Sequence, residues 1–157
     1  MGDGKEIGVN QMREIKFRGK VSDNNQWIHG YYIKHETRQC CAIGDDKLSE
    51  DEILHFIVLD SFADWNMPKK LNFFSVMPNT IGQYTGIDDI YEGDIAKSVD
   101  SNWGYGGEYD KTHDGYIYEV IKYKDGAFWI GEELLGDCRS FKIVGNIYDN
   151  PEIEVRL

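Results

Sequence analysis

The stretch from Thr80 to Lys97, TIGQYTGIDDIYEGDIAK, constrains the fold more than any other part of the chain. Gly82, Gly86 and Gly93 read as turn or corner glycines, and with an Asp-rich corner they punctuate two short runs of strand character. Ile81 to Tyr84 reads as a strand that Gly86 stops. Asp88 and Asp89 turn the chain, and Ile90 and Tyr91 lead into Glu92-Gly93-Asp94. There Gly93 can take a positive φ that other residues resist, and the Asp94 side chain can bond nearby backbone N–H groups and fix the corner. Ile95 and Val99 then enter the core. SH3-like barrels often open a strand with such a Gly-Asp corner, and this analogy points to a small barrel.

The rest of the chain is also strand-like. Residues 1–11 have no periodicity and read as a flexible leader outside the fold. From Arg13 the pattern alternates, with Ile15 and Phe17 on one face and Glu14, Lys16 and Arg18 on the other. A polar turn over Gly19 to Gln26 leads to Trp27 to Ile33 as the returning strand of a hairpin, with Trp27, Tyr31 and Ile33 on one face and Ile28, Gly30 and Tyr32 on the other. Cys40 to Ile43 reads as a third short strand.

Leu48 to Phe62 carries two signals. Ser49 and Glu52 have capping-box spacing, whereas the run from Ile53 to Leu59 suits a buried strand; helix and strand both remain open, with strand preferred for the β-branched content. His55 within it reads as a packed, hydrogen-bonded histidine. Ala63 to Lys70 is a loop, and Asn72 to Met77 a brief edge strand. Tyr116 to Lys122 and Ala127 to Ile130 flank Asp125-Gly126, a strong hairpin signal. Glu132 to Cys138 is one helical turn or a loop, and Phe141 to Tyr148 a final alternating strand. Ile153 to Leu157 is an apolar tail suited to a sheet edge or a subunit contact.

Four blocks carry a resemblance: MREIKF at 12–17, IGQYTG at 81–86, IYEGDIAK at 90–97 and IVGNIYDNPE at 143–152. They resemble the signature blocks of the YopX family of phage and prophage proteins over roughly Met12 to Glu152, with a divergent middle. The resemblance implies a shared fold and a phage or prophage origin, and supplies no settled biochemical activity. In the family a longer connection usually joins the Thr-Gly turn to the Ile-Tyr pair, where this chain has only Ile87, Asp88 and Asp89. The expected fold is all-β: a small, partly open β-barrel, SH3-like in part, with an N-terminal hairpin and at most one short helix. A single domain over 12–157 is expected, divisible into an N-terminal subdomain 12–79 and a barrel subdomain 80–157.

With 157 residues, 41% of them hydrophobic, the chain can bury a full core. Its net charge of −11 leaves no surplus of cations for phosphate contacts, so broad nucleic-acid binding is disfavoured. The basic residues Arg13, Lys16, Arg18, Lys20 and Lys34 read as a solvated strand face. Cys40, Cys41 and Cys138 are too few and too badly spaced for a disulfide scaffold or structural zinc, and no run of 18 apolar residues suggests a membrane span. The cytoplasm of a host cell is the expected location.

Catalytic signatures are absent from the sequence: no Walker loop, no dinucleotide fingerprint, no H-E-x-x-H and no G-x-S-x-G. His29, His35, His55 and His113 are scattered. Asp110, His113 and Asp114, and Asp88, Asp89, Glu92 and Asp94, read as a solvated loop and as turn structure, so no metal or cofactor is expected. The loop Asp100 to Gly115 interleaves Trp103, Tyr105 and Tyr109 with small residues, which makes these aromatics the candidate interaction surface; they also suit capping of the barrel. Gly82, Gly86, Tyr91, Gly93 and Asp94 are its structural motif. The expected function is a non-enzymatic module that binds a protein partner or another copy of itself as a homo-oligomer. Two alternatives stand beside it: an acidic nucleic-acid mimic that occupies a basic host protein, and an uncharacterised hydrolase using Asp88, Asp94 or His55.

Overall fold

The computed structural model describes residues 14–39, 44, 47–60, 69–100 and 115–156. Among the described residues, ten strands form two antiparallel five-stranded sheets. The first holds β1 (Phe17–Lys20), β2 (Trp27–Glu36), β3 (Ile53–Asp60), β4 (Leu71–Ser75) and β5 (Gly82–Gln83), in the order β4-β3-β2-β1-β5. The second holds β6 (Asp94–Val99), β7 (Tyr116–Lys124), β8 (Ala127–Ile130), β9 (Glu133–Leu134) and β10 (Lys142–Asn146), in the order β10-β6-β7-β8-β9. The described helical structure is two 3-10 turns, Glu50–Glu52 and Pro78–Thr80. Because β5 joins the first sheet, the sheets divide within the 84–93 corner.

The N-terminal hairpin forms as its alternation predicts, with Phe17 opposite Gly30 and Arg18 opposite His29. Both readings of 48–62 are realised in sequence. Ser49 N donates to the Glu52 carboxylate at 2.9 Å and closes the 3-10 turn, after which the β-branched run is strand β3. β4 is the expected edge strand. The first sheet rolls until its ends meet: Val21 bridges Val76, Ser22 N donates to Ser75 O and Met77 N to Lys20 O. Gly19 permits this closure, since a Cβ there would sit 3.2 Å from the Val76 Cβ. The other end stays unjoined, so the all-β fold is partly open as expected, while the strands that roll up are those of residues 17–83 rather than of 80–157. Phe17, Tyr32, Ile57, Phe74 and Val76 share its inner face by register, with Ile57 fully buried and the Phe17 and Tyr32 rings 5.3 Å apart.

In the second sheet the Asp125-Gly126 hairpin forms with φ of 53° and 82°, the primed-turn geometry that strand twist favours. Ile90, Ala96, Ile121, Phe128, Ile130 and Leu135 make one buried cluster on a single sheet face. The segment 132–138 forms β9 and turns, and Arg156 N donates to Tyr118 O, so the C-terminal tail adds to a strand edge.

Four expectations are corrected. Arg18, placed on a solvated face, is buried, because the outer face of β1 is covered by the second sheet. Gly82 is not a corner glycine but a strand residue, and its lack of a side chain serves close backbone approach to Glu92. Val99 is exposed at the end of β6, while Ile95 is fully buried. Finally, the alternation of 141–148 is broken: the register shifts between Ile143 and Gly145, a bulge in β10. The leader, Cys40 to Ile43, most of the Ala63 to Lys70 loop, and the loop bearing Trp103, Tyr105, Tyr109, Asp110, His113 and Asp114 lie outside the described residues.

Candidate functional site

The structural motif forms a seam between the sheets. Gly86 at φ 87° and Asp88 at φ 43° turn the chain, Thr85 Oγ1 donates to Ile90 O at 3.0 Å, and Tyr84 bridges Tyr91. Gly93, at φ 86°, makes the second corner. As expected from the Gly-Asp pair, Asp94 Oδ2 accepts the Tyr91 N–H at 2.8 Å. Its other oxygen reaches across the seam to Arg18 Nη2 at 2.5 Å, and both side chains are more than nine-tenths buried. Burial pushes the Asp94 carboxyl upward, and the Tyr91 amide and Arg18 guanidinium pull against that shift.

Arg18 is held from every side. Its guanidinium lies 4.8 Å from the Trp27 ring centre and 5.1 Å from that of Tyr91, and Nη2 also donates to Glu92 O at 3.3 Å. His29 packs 5.1 Å from Tyr91, and burial lowers its pKa. Below this cage, the Asp149 carboxylate accepts from Trp27 Nε1 and Asn146 Nδ2 and pairs with Lys20. The polar contacts of Arg18 with Glu92 and Asp94, and those of Lys20 and Trp27 with Asp149, join residues 74 to 129 positions apart, so no local pattern could have placed Arg18 here. The corner half of the site was legible, and the arginine half was not.

Hydrogen bonds from Asn146, Lys20 and Trp27 hold the Asp149 carboxyl down at about 2, below its ordinary 3.8. A carboxyl depressed in the folded state contributes stability that is present above the unfolded value and is lost as pH falls through the folded one. Stability is therefore expected to fall between pH 4 and pH 2, and Asp149→Asn should flatten that limb of a urea-unfolding series taken against pH. An unchanged acid slope in the variant would contradict the role assigned to these bonds.

The groups open to a catalytic reading are mostly engaged. Tyr32 Oη and His55 Nδ1 are 2.7 Å apart with near-parallel rings, which makes His55 the packed, bonded histidine expected. Asp94 belongs to the buried seam. Burial and the neighbouring Glu133 push the Cys138 thiol up to about 11, so it is protonated and weakly nucleophilic at neutral pH. Among the described residues no three His, Cys, Asp or Glu side chains are grouped to hold a metal ion, and no helix is long and apolar enough to cross a membrane.

The most unusual surface lies on the first sheet. Register places Tyr31 and Ile33 of β2, Leu54 and Phe56 of β3, and Leu71 and Phe73 of β4 on one outward face, around a buried Val58. Tyr31, Leu71 and Phe73 expose 54%, 59% and 56% of their surface, and Ile33 and Leu54 are exposed beside them. Phe56 meets Phe73 edge to face at 6.3 Å. The hairpin and its faces are legible in the sequence, and the expected interaction residues Trp103, Tyr105 and Tyr109 lie outside the described residues. The alternation of apolar residues on both faces of β2 was the available signal.

No curated protein and no solved structure matches the chain. The family model described as YopX protein matches residues 16–153, which include both sheets and the seam between them. With nearly the whole chain matched, this protein belongs to the YopX family.

Proposed function

We propose that the protein is a non-enzymatic, phage- or prophage-encoded accessory module of the host cytoplasm that acts by association, its outer β2–β3–β4 face meeting the same face of a second copy. The observation that carries this reading is the clustering of Tyr31, Ile33, Leu54, Leu71 and Phe73, all exposed, on one sheet face. Single exposed apolar residues are ordinary, whereas a contiguous patch costs free energy in water and is relieved by burial in an interface. β4 favours a second copy as the occupant. Its sequence LNFFS has no charge and no proline, and it lies at the sheet edge, where unprotected strands pair with their like. A two-fold axis along this edge would bring Leu71 and Phe73 of both copies together.

The engagement of His55 with Tyr32 and of Asp94 with Arg18 supports the non-enzymatic part of the reading, and family membership supports the phage setting. Sedimentation velocity should show a dimer at about 100 µM, consistent with micromolar affinity, and Phe73→Asp should make the protein monomeric with its circular dichroism unchanged. A wild-type chain that stays monomeric at that concentration would overturn association through this face.

A further inference from the structure

A cleft of about 570 Å³ opens on the second sheet, between the 87–90 corner and the 135–143 segment. Its floor is apolar: Ile90 and Leu135 belong to the buried core cluster, and Phe141 and Ile143 pack against it. Asp88 and Asp89 line one bank, and Arg139 lines the other. All three are exposed, and none makes a side-chain ion pair among the described residues. The banks are fixed by hydrogen bonds to main-chain carbonyls rather than by those charges. Tyr84 Oη donates to Asp88 O at 2.8 Å and Ile90 N to Ile87 O at 3.1 Å, while Leu135 N donates to Phe128 O and Asp137 N to Leu134 O, both at 2.9 Å. The cleft thus has an apolar floor anchored in the core, two carboxylates on one side and a guanidinium on the other.

We propose that this cleft binds an extended peptide segment of a partner protein, inserting one aliphatic side chain between a basic residue facing Asp88 and Asp89 and an acidic residue facing Arg139. The volume is in the range of sites that take small ligands, and one or two side chains fill it. Opposite charges on opposite banks select a segment carrying both signs; an all-basic segment would meet Arg139 and an all-acidic one the two aspartates. Solvent-exposed charge pairs orient a ligand more than they tighten it, so the affinity of an isolated segment is modest. The protonated Cys138 thiol beside the floor adds a neutral surface and no reactive anion. This deepens the association reading by naming a partner chemistry, and the cleft shares no residue with the β2–β4 face.

The test titrates the ¹⁵N-labelled full chain with acetyl-Lys-Leu-Glu-amide and acetyl-Glu-Leu-Lys-amide, which cover the two chain directions. Saturable amide shifts confined to 87–90 and 135–143 are expected with at least one of them. Replacing the peptide's leucine by glycine should abolish these shifts. Asp88→Asn with Asp89→Asn, and separately Arg139→Gln, should each weaken binding about three- to tenfold. Arg139→Glu should reverse the preference, so that acetyl-Lys-Leu-Lys-amide binds better than either mixed peptide. No localised shifts with either mixed peptide, or affinities unchanged in the charge variants, would overturn the proposal. Running the same titration on Phe73→Asp keeps the two readings separate, because failure of self-association there leaves the cleft readout intact.

Discussion

Replacing Asp94 with alanine is expected to cost about 3–5 kcal/mol of folding stability, the usual penalty for leaving a buried charge without its partner. Arg18 has nowhere to go. Its guanidinium is enclosed by Trp27, Tyr91 and the Glu92 carbonyl, and its Nε already has no hydrogen-bond partner among the described residues. The same substitution frees the Tyr91 N–H that Asp94 accepts, so a buried backbone donor is orphaned as well. Equilibrium urea unfolding measures the loss. The double variant Arg18→Met with Asp94→Leu should recover much of it, because removing both charges removes the uncompensated one. A single-variant loss below about 1 kcal/mol would mean that water reaches Arg18 and the pair is not buried as described.

Gly82→Ala is expected to destabilise by about 3 kcal/mol, at the upper end for an added methyl group in a packed region. A Cβ at this position would overlap the Glu92 carbonyl oxygen, which is main chain and cannot rotate away. That carbonyl is also the acceptor for Arg18 Nη2, and Glu92 N donates to Gln83 O, so moving it disturbs the seam from a second direction. Gly126→Ala offers a contrast, since its cost comes from a φ of 82° and nothing lies within 4 Å of the added atom. Thermal unfolding of the two variants should place Gly82→Ala clearly lower, and equal losses would show that steric approach at Gly82 is not the governing factor.

The two substitutions also mark where sequence reading stops. Gly93 and Asp94 could be read as a corner because the chemistry is local: a positive φ at one residue and a side chain reaching a backbone amide three positions back. The Asp125-Gly126 hairpin, the turn at Ser49 and the strand after it were legible for the same reason. Gly82 looked like its neighbours Gly86 and Gly93 because a glycine that serves a turn and one that serves a close approach are identical in sequence. Arg18 looked like a solvated cation because alternation assigns a side chain to a face and cannot say what covers that face.

The strand-and-turn alphabet of this protein, its all-β class and its family blocks are legible along the chain, since periodicity, turn residues and capping act within a few positions. Only the assembled fold brings Arg18 of the first sheet and Asp94 of the second into a buried pair, bridges Val21 to Val76 just beyond the ends of β1 and β4, and leaves the outer β2–β4 face apolar and open. Those outcomes depend on which sheet faces stack and which do not. That choice is made by burial and by electrostatics between residues far apart along the chain, where no local preference operates.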